Sequence, residues 1–228
     1  MKNKAFTLAE VLVTLGIIGV VSAMTLPTLV KNHQRQVYVT QLRTIVNQMS
    51  QAVEKAVNDN NAMSLDETKY SANNDNGARE FFNDYFKVVK NCGSDLTPCF
   101  ASNYKNLDGS NFTLETPISV VTLANGVSIS NFANWWIFDT VPFCTDANGN
   151  KYDCRYHGYY RLQIDVNGQQ GPNVLGRDLF YMELYSDGVV AETRTGDLDW
   201  QAEKCSVETE YGLGCLSKIM QDGWKMDY

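Results

Sequence analysis

Three sets of residues have types and spacings that do chemistry. Glu10 is an acid set in an apolar run, with Phe6-Thr7-Leu8-Ala9 before it and Val11-Leu12-Val13 after it. A carboxylate in hydrocarbon is disfavoured, by about 2.5–3.5 kcal/mol at a helix centre and less near its edge, so it points to a function and needs a partner. Six cysteines, all beyond residue 90, fall in local pairs: Cys92 and Cys99, Cys144 and Cys154, Cys205 and Cys215. Fifteen connectivities exist for six thiols; neighbour pairing is the simplest, because each pair brackets a polar turn. Zinc is the rival, but the chain has no Cys-x-x-Cys spacing and no paired histidine.

The third set is acidic. Asp146 to Asp153 lies inside the second cysteine loop, and Asp165-Val166-Asn167-Gly168 leads through Gly171-Pro172-Asn173 to Asp178. Alternating Asp and Asn oxygens beside a glycine turn suit calcium. No glutamate closes either run as in an EF-hand, and Asn-Gly is by itself a tight-turn signal, which is the stronger reading. Asp165, Asn167 and Asp178 stand as the calcium candidates, and no other cofactor is expected. Trp135-Trp136, Tyr156 and Tyr159-Tyr160 read as packing residues rather than a binding face. Two histidines, His33 and His157, and the lack of a nucleophile elbow, phosphate loop or metalloprotease signature argue against an enzyme.

The elements that hold these residues follow from the periodicity. Residues 11–30 carry no charge. At about 1.5 Å per residue they span roughly 30 Å as a helix, the thickness of a bilayer core. Gly16, Gly19 and Ala23 place small residues on one face, where helices approach closely. Pro27 removes a helical hydrogen bond and is expected to bend or locally melt the segment. Residues 31–59 continue as an amphipathic helix with Leu42, Ile45, Met49, Ala52, Val53 and Ala56 on one stripe. Residues 61–78 read as a loop and 79–90 as a shorter helix carrying Phe81, Phe82, Tyr85, Phe86 and Val89.

Beyond residue 117 the period changes. Ile118–Leu123 and Val127–Phe132 flank Ala124-Asn125-Gly126, a hairpin signal. Tyr159–Val166 alternates, and Leu179–Tyr185 and Val189–Thr193 flank Ser186-Asp187-Gly188 as a second hairpin. A long N-terminal helix packed on an antiparallel sheet with disulfide-bonded loops is the expected α+β fold.

Charge narrows the partners. Lys plus Arg is 19 and Asp plus Glu is 26 in 228 residues, a formal charge of −7. That balance argues against nucleic acid, which needs a basic face. Lys2 and Lys4 on one side of the apolar run balance Lys31 and Arg35 on the other, so flanking charge does not orient it. The cysteines do: structural disulfides belong to an oxidising space such as a periplasm or cell exterior.

Ala5-Phe6-Thr7-Leu8-Ala9-Glu10, followed by Val11-Leu12-Val13-Thr14-Leu15-Gly16-Ile17-Ile18-Gly19-Val20, resembles the N-terminus of type IV prepilins and type II secretion pseudopilins. The resemblance covers residues 2–30 and is only general beyond them. It implies that a prepilin peptidase cuts between Ala5 and Phe6 and N-methylates Phe6, with Ala5 standing where the family most often has Gly. It divides the chain into a leader at 1–5, a transmembrane and filament-core helix at 6–30, and a periplasmic or extracellular pilin-like domain at 31–228 whose residues 31–59 continue the helix.

The resemblance further implies a bacterial inner-membrane protein with a single pass, later part of a pilus or pseudopilus filament. Its partners would be other pilin-like subunits, in a homo- or hetero-oligomer, the peptidase and an inner-membrane assembly platform. Glu10 would meet the Phe6 amine of a neighbour. The size of the body leans toward a minor or specialised subunit, and Glu10 argues against a tip pseudopilin. The alternative is a monomeric membrane-anchored or secreted binding protein, adhesin-like, with a conventional signal or anchor, for which Val21-Ser22-Ala23 would serve as a cleavage site. Glu10 separates the two readings, since a lone anchor is expected to have no use for it.

Overall fold

A computed structural model describes residues 7–74, 76–136, 144–145, 151–152, 158–192, 205–206 and 214–228. It divides into two compact units, 1–37 and 38–228. Helix α1 spans Leu8–Asp59. Its first part, up to Val30, is largely apolar and uncovered: Leu8, Leu12, Val13, Leu15, Ile17 and Ile18 are each about 60% exposed or more. The helix runs through Pro27 without interruption, so the expected local melting does not occur. Proline removes one amide donor and leaves the flanking hydrogen bonds available to continue the helix.

In the second unit α1 turns amphipathic. Tyr38, Val39, Leu42, Ile45, Val46, Met49, Ala52, Val53 and Ala56 are buried. Their three- and four-residue spacing puts them on one face. Leu42, Ile45 and Met49 are 0% exposed, and each such side chain stabilises by about 1.5–3 kcal/mol through burial.

That face lies in one hydrophobic core with a six-stranded sheet. The strands are β1 (Val88–Gly93), β4 (Ser119–Leu123), β5 (Ser128–Trp136), β8 (Gly158–Asp165), β9 (Leu179–Tyr185) and β10 (Val190–Ala191). They are hydrogen-bonded in that order, and every pair is antiparallel. Ile129, Leu162, Ile164, Phe180, Met182 and Leu184 alternate along the strands into this core. Two short pairs stand apart: β2 (Tyr104–Lys105) with β3 (Asn111–Phe112), and β6 (Cys144–Thr145) with β7 (Lys151–Tyr152). Helix α2 covers Gly77–Tyr85, and α3, Cys215–Gln221, brings Cys215, Leu216 and Ile219 into the main core.

The expected second helix is shorter than its sequence span. It stops at Tyr85, and Val88–Gly93 becomes edge strand β1 instead. Val88 to Lys90 lie within the expected helical span, but the backbone of β1 pairs with β4, more than 25 residues away, and that ladder wins. A smaller core forms where residues 92–114 fold over part of the sheet. Cys99, Phe100, Tyr104, Val120, Leu175 and Leu179 fill it.

Candidate functional site

The start of α1 holds Glu10. Its Oε2 accepts the Thr7 backbone N–H at 2.8 Å and the Thr7 hydroxyl at 2.8 Å, while the Glu10 N–H donates to Thr7 Oγ1 at 3.3 Å. This is a capping box, Thr-x-x-Glu, which satisfies amide donors that open every helix. Glu10 therefore has a use within a single chain, contrary to the expectation that a lone anchor has none for it. The signal was present in the sequence, as Thr7 three residues before Glu10. Ala5 and Phe6 lie outside the described residues. A methyl added at Gly16 or at Gly19 would meet no atom within 4 Å, so their face is open within the chain.

The second concentration of polar groups is a hub formed by residues 165–178. Asp165 ends β8 and is 0% exposed. Its Oδ2 accepts the Tyr104 hydroxyl at 2.5 Å, and its Oδ1 accepts the Asn167 N–H at 3.1 Å. Asp178, also 0% exposed, accepts the N–H groups of Asn173 at 2.8 Å and Val174 at 2.7 Å. The three calcium candidates, Asp165, Asn167 and Asp178, are thus brought together, but every carboxylate oxygen already takes a protein donor. The side-chain oxygens of Asn167 and Asn173 are buried without a partner. No group of three or more His, Cys, Asp or Glu side chains suited to a metal occurs among the described residues. The arrangement acts as a hydrogen-bonded turn that Asp178 holds closed. The first acidic run, 146–153, lies almost wholly outside the described residues.

Burial dominates the electrostatics here. It pushes the Asp165 carboxyl up to about 8, against the opposing Tyr104 hydrogen bond, and the nearby Asp178 charge adds to the rise. Asp178 is raised for the same first reason. Burial also raises Tyr38, with Asp178 and Asp165 adding to it.

Four parts of the body meet at this turn. Tyr38 on α1 donates to the Gly171 carbonyl at 3.4 Å. Gln169 donates to the carbonyls of Pro98 at 2.7 Å and Phe100 at 3.2 Å. Lys105 exchanges backbone bonds with Asn173 and Leu175. From the C-terminus, the Tyr228 hydroxyl donates to the Gly176 carbonyl at 2.5 Å. Gly176 sits at φ +86°, and a methyl there would come within 2.6 Å of Cys215 Sγ, so only glycine fits this approach.

The cysteine pairs lie around these contacts. Cys92–Cys99 and Cys205–Cys215 are disulfides. Cys144 stands on β6, and its expected partner Cys154 lies outside the described residues. The start of α3, beside the Cys205–Cys215 disulfide, is held by a residue the sequence did not single out. Glu192 accepts the Gly214 N–H at 2.5 Å, and the N–H and hydroxyl of Ser217 at 3.1 Å each, at the start of α3. Burial pushes its carboxyl up to about 7. Trp135 and Trp136 stand on β5.

No curated protein and no solved structure matches the chain. Residues 1–26 match the prokaryotic N-terminal methylation motif. Helix α1, which begins inside that match, has an uncovered apolar stretch long enough to cross a membrane by length and composition. The capped acid and the apolar helix thus belong to a chain that carries the signal motif of type IV prepilins and pseudopilins.

Proposed function

We propose that the chain is a structural subunit of a type IV pilus-like filament or a type II secretion pseudopilus. The observation that carries this is the coincidence of the methylation motif with the uncovered apolar face of α1. An apolar helix face of that length needs lipid or other helices around it. In this reading prepilin peptidase cuts between Ala5 and Phe6 and methylates Phe6. Residues 6–30 rest in the inner membrane with the body, 31–228, in the periplasm. Polymerisation then moves the helix from lipid to the filament core, together with other pilin-like subunits and a membrane platform.

The sheet edges do not favour a competing route to assembly. Edge strand β1 carries two register shifts and Lys90, and β10 is two residues long. Such edges resist strand addition. The disulfides fit an oxidising compartment.

Glu10 has two tasks on this account. It caps α1 in the stored subunit and pairs with the Phe6 amine of a neighbour in the filament. The capping box favours the second reading to this extent: a membrane-anchored, non-polymerising binding protein would also keep Glu10.

Two variants separate the tasks, with the filament fraction measured against the membrane pool by immunoblot. Glu10→Gln retains a capping side chain but no charge, whereas Glu10→Ala loses both. Both variants should remain cleaved after Ala5, as intact mass reads, and both should fall in the filament fraction, Ala further. Assembly of Glu10→Gln at the parent level would leave Glu10 as a cap alone. A mature chain starting at Met24 would remove the filament reading.

A further inference from the structure

Beyond the filament role, the body carries a groove of about 370 Å³ between residues 96–104 and the strand pair β2–β3. That volume lies at the small end of ligand pockets, which run from about 300 to 1,000 Å³. Its lining mixes polar and apolar groups, the aliphatic ones being Leu96, Ala101 and Leu114. Thr97, Ser102, Asn103, Asn111 and Thr113 bring hydroxyls and amides, and Phe112 brings a half-buried ring. No ionisable side chain other than the Tyr104 phenol, already committed to Asp165, lines it.

The polar side chains are available. Thr97, Asn111 and Thr113 are exposed, and their side chains make no hydrogen bond within the described residues. Asn103 spends one donor on Ser102 at 3.1 Å and keeps its carbonyl oxygen. The walls are fixed. Cys92–Cys99 closes the loop on one side, Phe112 packs edge-on against Tyr181 at 6.1 Å, and Lys105 anchors β2 to the hub. A rigid groove of neutral donors and acceptors is pre-ordered for its ligand.

From this chemistry we infer that the groove binds an uncharged oligosaccharide. Hydroxyl and amide side chains match sugar hydroxyls in both donor and acceptor roles. The Phe112 ring offers an apolar face to the C–H side of a pyranose. Anionic and cationic polymers find no counter-charge in the groove. An extended Pro-rich peptide is the weaker fit, because grooves for such peptides present several exposed aromatic rings, whereas here Tyr104 is buried and held by Asp165, which leaves Phe112 as the one ring on offer. The inference does not depend on polymerisation, since the groove is complete within one chain.

The test uses the full chain in a phosphocholine detergent, which has no sugar headgroup to compete. Saturation-transfer NMR is recorded with cellotriose, maltotriose and chitotriose, with a sialylated trisaccharide and a neutral Pro-rich peptide as contrasts. At least one neutral saccharide should show saturation transfer with Kd in the ~0.1–10 mM range. Thr113→Asp, which places a charge at the rim, and Asn111→Ala should each weaken it about tenfold or more, with unchanged circular dichroism. Both positions are exposed, so neither variant threatens the fold. No transfer to any neutral saccharide overturns the inference. So does transfer that survives both substitutions, or a response confined to the sialylated sugar or the peptide.

Discussion

Raising the pH should weaken the body, and Asp165 sets where. Its carboxyl is held near 8 in the folded chain, against an ordinary value of 3.8. Between those values the folded state binds a proton that the unfolded state has released, so stability falls as pH rises. The contribution is fully present below about pH 4 and gone above about pH 8. A shift of about four units, at roughly 1.4 kcal/mol each, sets a ceiling of ~6 kcal/mol.

Asp178, Glu183 and Glu192 are raised too, all chiefly by burial, and add slope in the same direction. Asp165→Asn isolates the Asp165 share. The amide cannot titrate, and its oxygen still accepts from Tyr104. Its NH2 now faces the Asn167 N–H, which costs about 1–3 kcal/mol at every pH. The variant should therefore be less stable than the parent near pH 5, with a flatter pH profile, and the two curves should meet or cross by about pH 9. Urea unfolding of residues 38–228, followed by tryptophan fluorescence in buffer free of divalent cations, measures this. Parallel curves for parent and variant would refute the reasoning, because Asp165 would then be ionised throughout.

The remaining predictions concern packing and the C-terminal clasp. Gly77→Ala puts a methyl against the Ser71 carbonyl and within 2.6 Å of the Tyr160 hydroxyl. It should destabilise by about 1–3 kcal/mol, read as a lower midpoint in thermal melts. Leu42→Ala, at a position 0% exposed, should cost about 2–5 kcal/mol in urea unfolding while leaving the N-terminal segment helical by circular dichroism. Replacing Cys205 and Cys215 together by Ser opens a ten-residue bridge and should cost roughly 2–3 kcal/mol in urea unfolding; full reduction of the parent should cost at least as much, because Cys92–Cys99 opens as well.

Much of this molecule is local and therefore legible in the chain alone. The end of α1 at Asp59 and its buried stripe follow from a 3.6-residue period, because a helix satisfies its backbone within itself. The β4–β5 and β9–β10 turns follow from Asn125-Gly126 and Asp187-Gly188, which close over a few residues. The N-terminal signal is equally local, since the methylation motif is contained in residues 1–26.

What tertiary structure decided are contacts whose partners lie far apart in the chain. Val88–Gly93 is a strand only because β4 is present to pair with it. Asp165 reads as a calcium candidate from its Asp-x-Asn-Gly setting, but its donor is Tyr104, 61 residues earlier. Glu192 has no marked neighbour in sequence, and folding brings it to the start of α3, 25 residues on. A buried carboxylate must be hydrogen-bonded somewhere, and the sequence states that demand. Which group answers it depends on chain crossings that no spacing encodes.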